Sequence, residues 1–113
     1  MAIQNHKQIL SSSAVSEGQW EDVGAQAVPF TVAVYGFAAG DIAQIYLSDK
    51  LTEPALAAPA AGDATMKLGG DISADTMQVV DFAVKWLRVR KSAAGGSPAT
   101  TKADLFGYGA FVF

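Results

Sequence analysis

The chain reads as an all-β protein, an antiparallel two-sheet β-sandwich of jelly-roll or Ig-like type with roughly seven to nine short strands. Three observations predict this class. Apolar and polar residues alternate at period two in several short runs, the signature of strands buried on one face. Turn-forming residues separate those runs about every 8–12 positions. No stretch carries helical periodicity beyond one or two turns. Half of the 113 residues are hydrophobic and 17% are charged, enough apolar surface for one core and too little chain for two. A single domain over residues 1–113 follows.

Taken in order, Met1 to Lys7 reads as a loose N-terminal arm, its polar run Gln4–Gln8 predicting no signal-peptide segment. Gln8 to Val15 is a serine-rich and therefore weak first strand. Ser16-Glu17-Gly18 forms a turn, and Gln19 to Val23 a short strand closed by Gly24. In Val28 to Tyr35 the even positions Val28, Phe30, Val32 and Val34 share one face, and Pro29, lacking an N–H, marks a strand start or an edge. Gly36 to Gly40 is a turn. Ile42 to Ser48 then alternates, with Ala43, Ile45 and Leu47 opposing Gln44, Tyr46 and Ser48, so a hairpin with the preceding strand is predicted.

Leu51 to Gly62 holds Pro54, Pro59 and many alanines and reads as a long surface loop. Thr65 to Leu68 leads into a Gly69-Gly70-Asp71 turn, then Thr76 to Phe82. Trp86 to Lys91 is a clear strand with Leu87 and Val89 inward and Arg88 and Arg90 outward. The inward parity changes between Phe82 and Leu87, and a bulge near Ala83 to Lys85 would absorb it. Ser92 to Thr100 reads as a flexible hairpin tip, Lys102 to Gly107 as the returning strand, and residues 108–113 as an aromatic tail.

Little points to catalysis. His6 is the only imidazole and cysteine is absent, so neither a triad nor a His/Cys metal set can be assembled. Glu21 and Asp22, adjacent on a strand, point to opposite faces. Asp71 and Asp75 supply two carboxylates where a calcium loop brings more ligands. No enzyme activity, metal or cofactor is expected. A net charge of −3 argues against nucleic acid, and no apolar run is long enough to cross a bilayer as a helix. Trp20, Tyr35, Tyr46 and Trp86 would stack on sugars only if one exposed face gathered them.

Four segments together resemble small β-sandwich virion proteins of tailed bacteriophages. They are Gly18-Gln19-Trp20-Glu21-Asp22-Val23-Gly24, Phe30 to Gly36, Trp86-Leu87-Arg88-Val89-Arg90-Lys91-Ser92, and Ala103-Asp104-Leu105-Phe106-Gly107. The likeness spans most of residues 8–107. It implies a capsid decoration or cement protein, assembled in the host cytoplasm and displayed on the capsid surface. Its implied partners are the major capsid protein and further copies of itself, as a homo-oligomer of trimer type. Head–tail joining and tail proteins belong to the same class. Partner contacts are then expected from Ile3 and His6 in the arm and Leu51 and Leu56 in the loop. Trp86, Arg88 and Arg90 on the basic strand, and Phe111 and Phe113 in the tail, complete the set. The rival class is a carbohydrate-binding or adhesion module with Trp20, Tyr46 or Trp86 as stacking platforms.

Overall fold

The alternating runs become strands, and their apolar faces meet. A computed structural model of the chain describes residues 4–24, 28–54 and 65–108. The strands are β1 (Gln4–Ser12), β2 (Glu21–Asp22), β3 (Phe30–Tyr35), β4 (Ile42–Ser48), β5 (Thr65–Ile72), β6 (Thr76–Val80), β7 (Trp86–Ala93) and β8 (Thr101–Tyr108). They form two antiparallel four-stranded sheets, ordered β1-β8-β3-β6 and β2-β7-β4-β5. First pairs with last, second with seventh, third with sixth and fourth with fifth. Those nested pairs are a long hairpin rolled into a sandwich, so of the two predicted variants the strand order is that of a jelly roll.

Between the sheets, Val32, Val34, Val80, Ala103 and Leu105 face Ala43, Ile45, Leu47, Leu87 and Val89, all buried. Each large aliphatic side chain placed there contributes about 1.5–3 kcal/mol relative to exposure. The inward parities read from β3, β4 and β7 are those observed.

Several connections differ from expectation, for one shared reason. β3 and β4 do not form a hairpin: they lie in different sheets, and the Gly36–Gly40 turn carries the chain across the sandwich. Ser92 to Thr100 is not a hairpin tip either, since it crosses from β7 to β8 in the opposite sheet. The parity change between Phe82 and Leu87 is likewise a change of sheet between β6 and β7, with no bulge required. Turn residues mark where a strand ends; they do not say which neighbour the next strand chooses. The Gly69-Gly70-Asp71 turn lies inside β5, where the register with β4 shifts between Ala43 and Ile45. Gly69 there has φ +70°, so the turn signal became a bulge. Residues 4–7, expected in a loose arm, belong to β1 and pair with Leu105–Tyr108. Val28–Pro29 is a cis peptide, and β3 begins directly after it.

Two glycines allow close backbone approaches, one of a loop on a strand and one of a loop on a loop. Gly18, at φ +68°, would carry a Cβ only 2.1 Å from the Val89 carbonyl oxygen, and a Cβ on Gly95 would lie 2.0 Å from that of Ala39. Gly18→Ala combines a left-handed backbone with a collision against β7. We expect it to cost at least about 2 kcal/mol, read from urea unfolding.

Candidate interaction surface

The outer face of the β1-β8-β3-β6 sheet holds a groove of about 530 Å³. Cross-strand register explains it. One row across the sheet runs Gln8, Asp104, Ala33, Met77, and the next runs His6, Phe106, Thr31, Val79. Ala33 is the small member of its row, so the surface dips between Met77 on one side and Asp104 on the other. Tyr35, Phe106 and Asp75 complete the walls. The lining includes two carboxylates and no lysine or arginine.

Asp104 is set deep, its side chain 8% exposed. The Tyr35 hydroxyl donates to its Oδ2 at 2.8 Å, and His6 Nε2 lies 3.4 Å from the same oxygen. That bond to the Asp104 carboxylate raises the Tyr35 pKa above the usual phenol value. The His6 ring stacks on Phe106 with centroids 4.5 Å apart and an interplanar angle of 4°. Asp104 Oδ1 is buried and has no hydrogen-bond partner among the described residues. A buried acceptor left unmet costs about 1–3 kcal/mol. At the rim, Asp75 Oδ1 accepts the Gly36 N–H at 3.0 Å.

The β7 side of the opposite outer face is covered by its own chain. Ser16 bridges to Lys91 through two backbone hydrogen bonds, so the Ser16–Trp20 segment runs alongside β7 and its Glu17 and Trp20 side chains reach over the outer face. Beneath them Arg88 is 1% exposed, its guanidinium carbon 4.9 Å from the Trp20 ring centroid and 5.4 Å from that of Tyr46. Glu17 bonds Arg88 Nη1 at 3.2 Å and Arg90 Nε at 2.9 Å. Gln44 Oε1 receives Arg90 Nη1 and the Tyr46 hydroxyl, while its Nε2 donates to Asp71, which also pairs with Lys67. Burial lowers the Arg88 pKa from the usual arginine range, with Glu17 opposing.

This network corrects two expectations. Arg88 points away from the core, as its parity requires, yet it is not an exposed partner contact: the Trp20 loop covers it. Trp20 and Tyr46 are buried for the same reason and offer no sugar platform. Arg90 is part-buried and committed to Glu17 and Gln44. Trp86 is half-buried, its Nε1–H bonding the Lys50 carbonyl at 3.0 Å with Lys85 over its ring. His6 sits at an exposed strand position and Leu51 is 93% exposed, so both are open to contact. Ile3, Leu56, Phe111 and Phe113 lie outside the described residues. Asp71 and Asp75 are engaged with separate partners, and no cluster of three or more metal-ligating His, Asp or Glu side chains occurs among the described residues.

Sequence reading missed a third polar centre, which lies between the sheets' ends. Asp41, just before β4, is fully buried and accepts the N–H groups of Ala38, Gly95 and Ala99 at 2.9, 2.9 and 3.1 Å. Lys91 Nζ, also fully buried, lies 3.5 Å away and donates to the Ser12 and Ala99 carbonyls. One signal for it was available: Lys91 shares the inward parity of Leu87 and Val89. At the other edge, Lys7 and Glu21 pair at 2.7 Å and tie β1 to β2 across the two sheets.

Among the described residues, the face bearing the groove, the β6 edge beside it and Leu51 in the β4–β5 connection are open for recognition. No family model matches this chain, and neither the curated proteins nor the solved structures contain a match to it.

Proposed function

We propose that this protein is a structural component of a virus particle, a decoration or cement protein that clamps neighbouring major-capsid subunits. In this reading it acts as a homo-oligomer of trimer type at the shell surface. The observation that carries it is the β6 edge. Free strand edges are normally blunted by charge or proline, because their unpaired backbone invites further strands. Thr76-Met77-Gln78-Val79-Val80 has neither, and Met77 is 70% and Val79 58% exposed. Exposed Val28 and Phe82 lie just beyond the same end of the β3–β6 pair, Phe82 following Asp81. A stripe of this kind suits a partner that stays bound. On a lattice, many modest contacts of one repeated copy act at high effective concentration. The jelly-roll order is common to viral capsid and lectin domains, and the burial of Trp20 and Tyr46 leaves the carbohydrate-binding rival only half-buried Trp86 of its three platforms.

The test is attachment. Purified protein mixed with shells that lack it should co-sediment with them at stoichiometric occupancy. A Met77→Lys, Val79→Lys variant should stay folded and lose at least roughly tenfold in affinity, the scale of removing two interface anchors. Wild-type protein that never joins shells would overturn the function; a variant that binds as well as wild type would overturn the β6 contact.

A further inference from the structure

One edge of the sandwich is formed by β6 in one sheet and β5 in the other, and a hollow between them is lined by Gly70, Asp71, Ile72, Thr76 and Gln78. Both strands are pared down there. Along β5, a Cβ added to Gly69 or Gly70 would meet no described heavy atom within 4 Å. Along β6, Thr76-Met77-Gln78-Val79-Val80 carries no charge, and Asp75 and Asp81 stand just outside its two ends. Another backbone can lie against β6 here without meeting a side chain from positions 69 and 70. The order of the residues says whose backbone it is. Turned end for end about Gln78, the run matches itself. Antiparallel pairing about that centre sets Met77 against Val79 of the second copy, and Val79 against its Met77, on the exposed face. Thr76 and Val80 oppose each other in the same way, and at the axis two Gln78 amides meet, each both donor and acceptor.

We infer that the β6 edge pairs with the β6 edge of a second copy of this chain, antiparallel about a twofold axis at Gln78. The two β1-β8-β3-β6 sheets then become one continuous sheet. Charge fixes the register. A pairing that keeps like faces together moves the axis to Met77 or Val79. The first sets Asp75 opposite Val79 and the second sets Asp81 opposite Met77, a carboxylate against an apolar side chain in each case. Centred on Gln78, Asp75 and Asp81 face each other only beyond the ends of the ladder, where Asp75 is drawn back onto the Gly36 N–H. Five residues a side, against roughly 20–30 in a stable interface, make this a weak contact in solution that strengthens where copies are held side by side. The pairing goes beyond the particle reading; only its setting, a link between copies on neighbouring shell positions, rests on that reading.

The chain has no cysteine, so single substitutions report the contact cleanly. Antiparallel partners stand about 4.5–5.5 Å apart at Cα, within disulfide reach, whereas residues two places out of register lie beyond it. Full-length Gln78→Cys, Met77→Cys, Val79→Cys and, as an exposed control, Ser73→Cys are oxidised in a glutathione buffer. Each disulfide rate is divided by the rate of the same thiol with iodoacetamide, and intact masses identify the products. Gln78→Cys should dimerise at least roughly tenfold faster than Ser73→Cys, because pairing raises the effective concentration of its thiol. An equal mixture of Met77→Cys and Val79→Cys should give the mixed disulfide in at least roughly tenfold excess over either symmetric one. Adding Asp81→Lys to Gln78→Cys turns the repulsion from Asp75 of the second copy into attraction and should speed dimerisation roughly threefold. A Gln78→Cys rate equal to that of Ser73→Cys overturns the pairing and leaves the edge to a partner of different sequence. A random mixture of disulfides, or no response to Asp81→Lys, overturns the register. No shells take part, so failure here is separate from failure of the attachment test.

Discussion

Replacing Asp41 by alanine is expected to lower the midpoint of thermal unfolding by about 20 °C, the largest single effect foreseen for this chain. Three backbone N–H groups lose their acceptor at once, those of Ala38, Gly95 and Ala99, and the fully buried Lys91 loses its counter-charge. Two crossings are affected, because Ala38 belongs to the β3–β4 connection and Gly95 and Ala99 to the β7–β8 connection. Asp41→Asn keeps an acceptor but removes the charge, and should fall between wild type and Asp41→Ala.

The pH dependence follows with a definite sign. Hydrogen bonds from the Gly95 and Ala38 N–H groups, then that of Ala99 and the Lys91 charge, hold the Asp41 carboxyl down at about 2 against an ordinary 3.8. A lowered folded-state pKa means stability that is fully present above the unfolded value. It is lost as pH falls from the ordinary value toward about 2. Melting curves between pH 7 and pH 2 should therefore show a steeper acid loss for wild type than for Asp41→Asn, which has no proton to take up there. Parallel curves for the two would remove the charge from the account.

Arg88→Ala is expected to cost about 3 kcal/mol, next in size. The substitution leaves Glu17 with Arg90 alone, empties the space between Trp20 and Tyr46, and removes both cation–ring contacts. Arg88→Lys should recover only part of this, because a point charge cannot lie flat between two rings as a guanidinium does. The readout is specific. The chain has two tryptophans, and Trp20 is the one that packs on Arg88, so tryptophan emission should shift to the red as Trp20 meets water. In Arg88→Met, similar in volume, the stability loss should shrink markedly, because an apolar stem keeps the space beside Trp20 and Tyr46 filled while part-exposed Glu17 retains Arg90.

These residues also show what a linear reading can and cannot deliver. The class of fold and the faces of β3, β4 and β7 were legible, because alternation records burial residue by residue. Strand partnership was not, because Gly36, Gly40, Gly95 and Gly96 look alike whether a turn closes a hairpin or carries the chain to the other sheet. Parity placed Tyr46 and Arg88 on the outer side correctly, yet it could not foresee that the Glu17 and Trp20 side chains reach over that face. Lys91 was the visible anomaly, a cation in an inward position, and an inward cation demands a buried acid. Which acid, Asp41, depends on two connections meeting in space. The groove had no linear signal at all: Ala33 matters only because Met77 and Asp104 flank it on other strands.

The nested pairing of β1 with β8 has a consequence for how the molecule is made. Neither of those strands has its partner until the ribosome has delivered nearly everything between them, so the outermost wrap of the roll must be the last to close. Loop closure over such separations is slow, and an intermediate missing β1 leaves β8 with one flank bare. At high synthesis rates that bare flank is open to the first strand of another copy, and crowded expression should therefore yield exchanged dimers that dilution and refolding convert back to single chains.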